Sequence, residues 1–248
     1  MKKNAYEKCL DKIYKLGRFG IKLELDTILN ILKILNNPQK NYRLVHVAGT
    51  NGKGSTATYI VSILQKAGFK TGLYTSPHLV KFNERISING KQISNDQIVA
   101  VYEAVHAADI GKRKATFFEI ATAMGFYHFS KENVDWAVIE TGMGGRFDAT
   151  NVINPQVSVI TNLSLEHTEY LGNTIKALAK EKGGIIKQST PVVIGVFQPS
   201  GLDVIKQLAK EKSSDLFIYK KDFSTRKNPN QNTYTYTGLN KNFHRLIK

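Results

Sequence analysis

A glycine-rich segment between an apolar run and a helical pattern carries the clearest chemical signal in this sequence. It follows residues 43–48 (RLVHVA) and opens a predicted helix that extends to about Ala67. Glycines let backbone N–H groups turn toward an anion, the helix N-terminus adds the positive end of a dipole, and a lysine adds a full charge. We predict a loop that binds nucleotide phosphates, formed by Gly49, Thr50, Asn51, Gly52, Lys53, Gly54, Ser55 and Thr56.

The spacing of this loop differs from that of the usual phosphate-binding motif, G-x-x-x-x-G-K-[ST]. Val47 occupies the position of the first glycine, and Gly54 separates Lys53 from the hydroxyl pair Ser55-Thr56. The strand–loop–helix context still favours a phosphate site over a glycine-rich turn that binds nothing.

Three polar residues end or follow other predicted strands. Ser76 follows the strand pattern that begins at Phe69, Glu140 ends the run DWAVIE, and His167 lies just past the run VSVITN. Because the carboxyl ends of parallel strands meet at one edge of a sheet, we expect these side chains near the phosphate loop. A hydroxyl, a carboxylate and an imidazole beside triphosphate oxygens suit Mg²⁺. Taken singly, Glu140 is explained as well by a plain strand-end carboxylate as by a metal ligand. The same holds for His167, which is explained as well by a plain loop histidine.

Alternating helical and strand patterns position these residues and predict an α/β fold, with a mostly parallel sheet covered by helices on both faces. The predicted strands cover residues 43–48, 69–76, 135–140, 157–162, 191–196 and 215–220, with a short strand or a hairpin at 85–92 and an antiparallel strand at 232–238. Helices are predicted over residues 3–16, 24–35 and 201–212, in addition to the helix that the glycine-rich segment opens.

Capping patterns mark the ends of further predicted helices. The spacings Ser94–Gln97 and Thr116–Glu119 are typical of capping boxes that begin a helix. Asn173 is predicted to cap a helix that ends at Gly183-Gly184, and Gly68 is predicted as the C-cap of the helix after the phosphate loop.

Length and composition limit the classes of function. The 248 residues carry a net charge of +15 and one cysteine, Cys9, which excludes an internal disulfide and fits a reducing cytoplasm. No apolar run approaches the ~20 residues that span a bilayer, and the N-terminus lacks the apolar core of a signal peptide. The basic residues are scattered, with the densest clusters at 112–114 and 220–221. We therefore expect a cytoplasmic protein that binds small anionic ligands, and neither nucleic acid nor a membrane.

Successive motifs in the chain resemble, in order and spacing, the signatures of the folylpolyglutamate/dihydrofolate synthases, ATP-dependent ligases of the Mur ligase superfamily. The insertion of Gly54 after Lys53 is typical of this family. The motifs are FGIKLELD (19–26), NNPQ (36–39), HVAGTNGKGST (46–56), TSPHLVKFNERI (75–86), FFE (117–119), ETGMGGRFDATN (140–151), ITNLSLEHTEYLG (160–172) and EKGGIIK (181–187).

The resemblance implies an ATP-dependent ligase that joins L-glutamate to a folate or dihydropteroate carboxylate through an acyl phosphate, acting with Mg²⁺ as a monomer. It implies catalytic roles for Lys53, Glu140, His167 and Lys182. It also implies Mg²⁺ ligands at Ser76, Glu140, His167 and Lys182, where Lys182 aligns with a lysine that the family carbamylates.

The resemblance also implies residues that contact the folate or pterin. Phe118 and Asp148 align with residues that hold the pterin in the bifunctional branch of the family. The loop 75–86, which contains Phe82 and Arg85, resembles the flexible loop that closes over the folate. Phe118 and Asp148 favour a bifunctional enzyme, although the sequence leaves open whether dihydropteroate, tetrahydrofolate or both are substrates.

Three features depart from the family pattern. Glu166 stands where Asp usually precedes the histidine, and Gly183 replaces a common Ala, which is expected to loosen the helix end by about 1 kcal/mol at most. The third concerns the second α/β domain, which follows a linker in the family, whereas this sequence stops at Lys248. We therefore assign residues 1–248 to one ATP-binding domain, with a helical segment at 1–40 and the start of a linker at 221–248, and expect the C-terminal glutamate-ligase domain to be absent. Residues 1–248 alone are then expected to bind nucleotide without ligase turnover.

Other functions remain open at this point. One is another Mur-type ligase, such as a cyanophycin synthetase-like domain. A second is a nucleotide-binding module without catalysis, and a third is a basic protein that binds nucleic acid.

Overall fold

Helices and strands alternate along most of the chain, as the sequence pattern predicts. A computed structural model describes residues 3–20, 24–228, 233–239 and 241–247. The helices are α1 (Ala5–Lys15), α2 (Asp26–Ile34), α3 (Lys53–Lys66), α4 (Asn95–Ala107), α5 (Phe117–Lys131), α6 (Thr168–Leu171), α7 (Ile175–Gly183) and α8 (Pro199–Glu211). Short 3₁₀ turns lie at Leu16–Phe19, Pro38–Lys40, Phe82–Arg85 and Ala149–Val152.

The strands form a large sheet and a small one. The large sheet contains β1 (Arg43–Ala48), β2 (Thr71–Tyr74), β3 (Ile86–Ile88), β4 (Lys91–Gln92), β5 (Trp136–Glu140), β6 (Val157–Ile160), β7 (Val192–Ile194) and β8 (Leu216–Ile218). The small sheet contains β9 (Phe223–Asn228), β10 (Thr233–Gly238) and β11 (Lys241–Ile247).

Strand β1 lies inside the large sheet, whose order is β4-β3-β2-β5-β1-β6-β7-β8. Six of these strands run parallel, and β3 and β4 add an antiparallel hairpin at one edge. Val47 of β1 pairs with Glu140 of β5 on one side and with Val159 of β6 on the other. The carboxyl ends of three adjacent strands therefore lie side by side, and the predicted fold class is confirmed.

Alternation along β1 directs its side chains to opposite faces of the sheet, and both faces are covered. Val45 and Val47 pack with Ala57 and Val61 of α3 on one face. Leu44 belongs to a larger cluster that includes residues of α1, α2, α4 and α5. Each fully buried aliphatic side chain in these layers stabilises the fold by about 1.5–3 kcal/mol.

The N-terminal helices belong to this larger core. Ile13 of α1 and Ile28, Ile31 and Leu32 of α2 are buried in it. Cys9 of α1 is also buried, and burial raises the pKa of its thiol to about 11. The predicted helices at 3–16 and 24–35 are confirmed, and the cysteine is an inert core residue. Residues 21–23 of the motif at 19–26 lie outside the described part of the chain.

Local capping signals are mostly confirmed, with two corrections. Both capping boxes, Ser94–Gln97 and Thr116–Glu119, form as predicted. The prediction of Asn173 as a cap is wrong: Thr174 is extended and its hydroxyl accepts the N–H of Ala177 at 3.1 Å. The C-cap of α3 is Ala67, and Gly68 follows it with a φ of +90°.

The segment assigned to the start of a linker contains more strand than the sequence indicates. Strands β9, β10 and β11 pair antiparallel, where only the strand at 232–238 was predicted. Asn232 of that prediction lies outside the described residues. Alternation of Thr and Tyr reveals β10, whereas β9 and β11 are rich in Lys, Arg and Asn and lack a clear apolar period. In the described ranges, no helix is long and apolar enough to cross a membrane.

Candidate active site

The predicted phosphate loop connects β1 to the N-terminus of α3. Gly52 is the N-cap of this helix with a φ of +78°, and its carbonyl accepts the N–H of Thr56 at 2.9 Å. The first N–H groups of a helix have no partners within the helix, so they are free to bind an anion. Lys53 lies in the first turn of α3, and its Nζ donates to the carbonyl of Thr50 at 3.2 Å. This arrangement is suited to binding a phosphate group.

The chain after β6 supports the phosphate loop by hydrogen bonds. The N–H of Thr50 donates to the carbonyl of Asn162 at 3.1 Å, and the N–H of Asn51 donates to its Oδ1 at 2.9 Å. Thr161 donates its hydroxyl to the carbonyl of Asn51 at 2.7 Å, and Ser164 exchanges two bonds of 3.0 Å with the Thr50 hydroxyl. Sequence reasoning gave these side chains no role, although they lie within the motif at 160–172.

Glycine is required at position 49. Its φ is +144°, and a Cβ atom there would lie 1.9 Å from the Oγ1 of Thr161. The loop after β6 therefore approaches the phosphate loop more closely than any side chain at this position permits.

Glu140 and Ser76 meet beside the N-terminus of α3. The N–H of Ser76 donates to Oε2 of Glu140 at 3.1 Å, and a Cβ atom at Gly54 would lie 3.4 Å from the same oxygen. Burial raises the pKa of Glu140, while the bond from Ser76 and the charge of Lys53 act against that rise. The Ser76 hydroxyl is buried without a hydrogen-bond partner. An orphaned hydroxyl next to a buried carboxylate fits the hard-oxygen ligands that Mg²⁺ prefers.

His167 is not joined to that pair. It precedes α6 in the left-handed region with a φ of +46°, and its side chain is exposed. No hydrogen bond among the described residues links it to Ser76 or Glu140. Nor do those residues contain a cluster of three or more His, Cys, Asp and Glu side chains arranged to hold a metal. The predicted metal role of His167 therefore stays a prediction.

Lys182 lies beneath the phosphate loop and is only 1% exposed. Its Nζ donates to the carbonyl of Gly49 at 2.9 Å and to Oε1 of Glu166 at 2.5 Å. Burial lowers the pKa of Lys182, and the bond to Glu166 opposes that shift. The longer side chain of Glu166 is thus tolerated because it reaches the buried ammonium.

Gly183, the second departure from the family pattern, lies where α7 meets α8. A Cβ atom there would lie 2.4 Å from Cδ1 of Leu208 and 3.0 Å from Cδ1 of Ile205. The glycine therefore lets α8 pack closely on α7, and this close packing offsets the expected loosening of the helix end.

A cavity of about 240 Å³ lies next to the loop after β5. Phe118 and Asp148, the two residues predicted to hold a pterin, both line it. The other residues of its wall are Gly20, Glu24, Thr116, Glu119, Gly142, Met143, Phe147 and Ala149. The sequence thus predicted two of its lining residues from positions 30 apart.

Hydrogen bonds within the chain already occupy the Asp148 carboxylate. Oδ2 accepts the N–H groups of Gly142 at 2.9 Å and Met143 at 2.8 Å. Oδ1 accepts the N–H of Thr150 at 3.0 Å and its hydroxyl at 2.5 Å. Burial raises the pKa of Asp148, and the bonds from Thr150 are the strongest opposing influence. Asp148 therefore shapes the wall of the cavity as well as lining it.

Arg113 neutralises acidic groups of the same wall, a role that sequence reasoning missed. It belongs to the basic cluster at 112–114, and its Nη1 and Nη2 donate to both carboxylate oxygens of Glu119 at 3.0 and 2.9 Å. Its Nε donates to Glu24 at 2.5 Å. This part of the positive charge is therefore used inside the protein.

The loop 75–86 has a rigid base and an exposed tip. The Glu84 carboxylate accepts the N–H groups of Leu79, Val80 and Lys81 at 2.7, 3.0 and 2.7 Å, which fixes the turn. Leu79 and Val80 are 91% and 81% exposed. Exposed apolar side chains on a loop suit contact with a ligand or another protein surface.

Phe82 and Arg85, predicted to contact substrate, are both buried at the base of this loop. Phe82 is a core residue that packs edge-on against Phe117 and does not line the cavity. In this conformation no face of its ring is open to a substrate. Arg85 donates from Nε to Nδ1 of His78 at 2.7 Å and covers Phe117, whereas its Nη1 has no partner.

Comparisons with known proteins identify the family of this chain. The Mur ligase middle domain matches residues 47–246. The chain is 43% identical over 218 residues to the dihydrofolate synthase/folylpolyglutamate synthase of Bacillus subtilis. The aligned region covers 85% of this chain and 50% of that protein. The chain thus spans about half the length of this curated relative.

Solved structures give the same result for the fold. The apo form of the L. casei folylpolyglutamate synthase superposes with a TM-score of 0.89 at 37% identity, covering 96% of this chain and 60% of that one. The E. coli FolC protein in complex with DHPP and ADP gives a TM-score of 0.90 at 29% identity, covering 97% and 57%. This chain therefore belongs to the Mur ligase family, and within it is similar to the folylpolyglutamate and dihydrofolate synthases.

Proposed function

We propose that this chain forms the nucleotide- and pteroate-binding part of an ATP-dependent ligase that joins L-glutamate to a folate or dihydropteroate carboxylate. The observation that carries the proposal is that one loop serves both sites. Glu140 ends β5 beside the N-terminus of α3. Gly142, Met143 and Asp148, in the loop that follows it, line the cavity. A substrate seated in the cavity is thereby brought near the terminal phosphate of a bound nucleotide.

The reaction proceeds in two steps. The substrate carboxylate attacks the γ-phosphate of ATP, which forms an acyl phosphate and releases ADP. The amine of glutamate then displaces phosphate to give the amide. In such phosphoryl transfer the protein supplies positioning and charge neutralisation. The backbone of residues 49–55 and the charge of Lys53 do this for the phosphate oxygens.

Mg²⁺ would be held by Glu140 and the orphaned Ser76 hydroxyl, and it would neutralise charge on the phosphates. His167 and a carbamylated Lys182 are the further ligands that we propose. The role of Lys182 requires removal of its proton, because only a neutral amine combines with CO₂. Burial of Lys182 favours that neutral form.

We further propose that the protein acts in the cytoplasm as a monomer. Its one cysteine is buried and takes no part in a disulfide. The proposed ligands, which are ATP, a reduced folate or dihydropteroate, and glutamate, are all small molecules. Two relatives support the nucleotide and pterin assignments, since their structures are described as complexes with ADP and DHPP and with AMPPCP and folate.

A binding assay tests the proposal and separates it from the alternatives. We expect a non-hydrolysable ATP analogue with Mg²⁺ to bind, and dihydropteroate or tetrahydrofolate to bind with it. A UDP-muramoyl peptide and an oligonucleotide are expected not to compete. Binding of the UDP-muramoyl peptide in place of the pteroate would favour another Mur-type ligase.

Variants of α3 locate the nucleotide. Lys53→Ala should weaken binding of the ATP analogue at least tenfold, on the order of 1.4 kcal/mol, with little effect on pteroate. Lys66→Ala, an exposed lysine at the other end of the same helix, is the matched control and should leave both affinities unchanged. Equal nucleotide affinity in Lys53→Ala and wild type would refute the phosphate-loop assignment.

A further inference from the structure

His46 is a buried polar residue for which the phosphate loop and the cavity provide no direct role. It lies in β1, pairs with Ile139 and Ser158 on the neighbouring strands, and is fully buried. Its Nε2 lies 2.8 Å from the hydroxyl of Thr150, and its Nδ1 has no hydrogen-bond partner. Burying an imidazole with one nitrogen unpaired is unfavourable, so the bond that it does make requires an explanation.

The direction of the hydrogen bonds follows from the number of protons available. Thr150 has one hydroxyl hydrogen, and it donates that hydrogen to Oδ1 of Asp148 at 2.5 Å. The Thr150 oxygen can then only accept from His46, so Nε2 carries the proton and Nδ1 is bare. Donation therefore runs one way, from His46 through Thr150 to Asp148. We call these three residues the relay.

The relay ends on the loop that forms the cavity. Oδ2 of Asp148 accepts the N–H groups of Gly142 and Met143, which both line the cavity. Gly142 in turn contacts Phe118 closely, since a Cβ atom at position 142 would lie 2.4 Å from Cζ of that ring. A change in the orientation of Asp148 is thus transmitted to the opposite wall.

We propose that His46 is a positioning residue for the cavity, because it holds the Thr150 hydroxyl on Asp148 and thereby fixes the loop 142–149 against Phe118. The ligand of that cavity, a pteroate, rests on the proposed function above. The relay also ties the cavity to β1, the strand that leads into the phosphate loop. Because Asp148 bonds to two residues of the cavity wall, the relay should affect pteroate affinity far more than nucleotide affinity.

Four single variants of the relay test this proposal. His46→Leu and Thr150→Val remove one donor each at similar volume, whereas His46→Gln and Thr150→Ser retain a donor at the corresponding position. We expect the first two to weaken dihydropteroate binding about tenfold, the scale of one buried hydrogen bond, with nucleotide affinity changed less than about twofold. The retaining variants should stay near wild type.

The double variant His46→Leu/Thr150→Val distinguishes a relay from two separate packing effects. Members of one relay should give a loss in the double variant close to that of either single variant. Multiplied losses would overturn the proposal, and so would a wild-type pteroate affinity in both single variants.

Amide hydrogen exchange provides a readout that needs no ligand. The N–H groups of Gly142 and Met143 should exchange faster in His46→Leu and Thr150→Val than in wild type, while the N–H of Thr56 at the phosphate loop should not. If wild type binds no pteroate but these amides respond, the proposed function fails and the relay stands. Unchanged exchange of Gly142 and Met143 in both variants would overturn the relay.

Discussion

The Nζ of Lys182 lies 2.9 Å from the carbonyl oxygen of Gly49, although 133 positions separate the two residues in sequence. The bond joins the C-terminal turn of α7 to the first residue of the phosphate loop. A lysine buried at this point, with burial lowering its pKa, differs from the usual exposed helix lysine. Its ion pair with Glu166 holds the side chain in place.

We predict that Lys182 is carbamylated in the active protein. Bicarbonate should add the mass of CO₂ to a peptide that contains this residue, and Mg²⁺ with nucleotide should protect the adduct. Lys182→Ala should weaken Mg²⁺-dependent nucleotide binding, and a short carboxylic acid should restore part of it. Lys180→Ala, an exposed lysine on the same helix, is the control. Wild-type behaviour of Lys182→Ala would contradict the prediction.

Gly49→Ala should abolish the nucleotide site. The added Cβ atom meets Thr161 Oγ1 at 1.9 Å, and a φ of +144° strains any side chain, so the loop has to move. We expect a loss of about 1–3 kcal/mol in the free energy of unfolding together with loss of ATP-analogue binding. Gly17→Ala, with no atom within 4 Å of the added Cβ, should change neither. Thermal denaturation and titration calorimetry measure the two effects.

Comparison of the phosphate loop with the loop after β6 explains what could be predicted from the sequence. The phosphate loop and the capping boxes are local patterns, so the boundaries of β1 and the starts of α4 and α5 agree with the sequence analysis. The contacts of Thr161, Asn162 and Glu166 depend on strands that pair only after folding. No pattern in sequence marks their partners, and the burial of Lys182 has the same origin.

The predictions of the helix cap and of the small sheet differ from the structure for other reasons. Asn173 and Thr174 are both good caps, and only the backbone geometry selects the second. Strands β9 and β11 carry many polar residues, because strands of a small antiparallel sheet need one apolar face at most. The predicted role of Phe82 came from its motif alone, which does not reveal that its ring is buried.

Glu140→Gln should stabilise the protein when no divalent cation is present. Burial raises the pKa of Glu140 above its value in the unfolded chain, so the folded state binds that proton more tightly. Stability is therefore lost as the pH rises from the unfolded value near 4.5 through the folded value. The variant should lose this slope, show a higher Tm at pH 7 and bind Mg²⁺-nucleotide more weakly. Glu169→Gln, an exposed change, should do none of these; a lower Tm for Glu140→Gln would count against the prediction.

His46 should make the stability depend on pH with the opposite sign. Burial, with a smaller effect of the nearby Lys187 charge, lowers the pKa of His46 to about 3. Between pH 6.5 and 3 the unfolded chain, whose histidine pKa is near 6.5, binds a proton at this residue that the folded state does not bind. Stability is therefore present above pH 6.5 and lost as the pH falls toward 3, with a slope approaching about 1.4 kcal/mol per pH unit.

His46→Gln removes that titration and should flatten the curve between pH 3 and 6.5. Urea denaturation at several pH values gives the slope for each protein. His106→Gln replaces an exposed histidine and serves as the matched control. A slope in His46→Gln equal to that of the control would show that His46 does not contribute.

The side-by-side ends of β5, β1 and β6 also affect when the site can form during synthesis on the ribosome. Partners at the site are separated by 64 positions for Ser76 and Glu140, 111 for Asn51 and Asn162, and 133 for Gly49 and Lys182. At a synthesis rate of about 5–20 residues per second, the lysine leaves the ribosome roughly 7–27 seconds after the loop that it supports. Until then a nascent chain has the phosphate motif without its supports. We therefore expect nucleotide affinity to arise only once Lys182 has left the ribosome, and ATP to stabilise only those chains whose sheet has closed around β1.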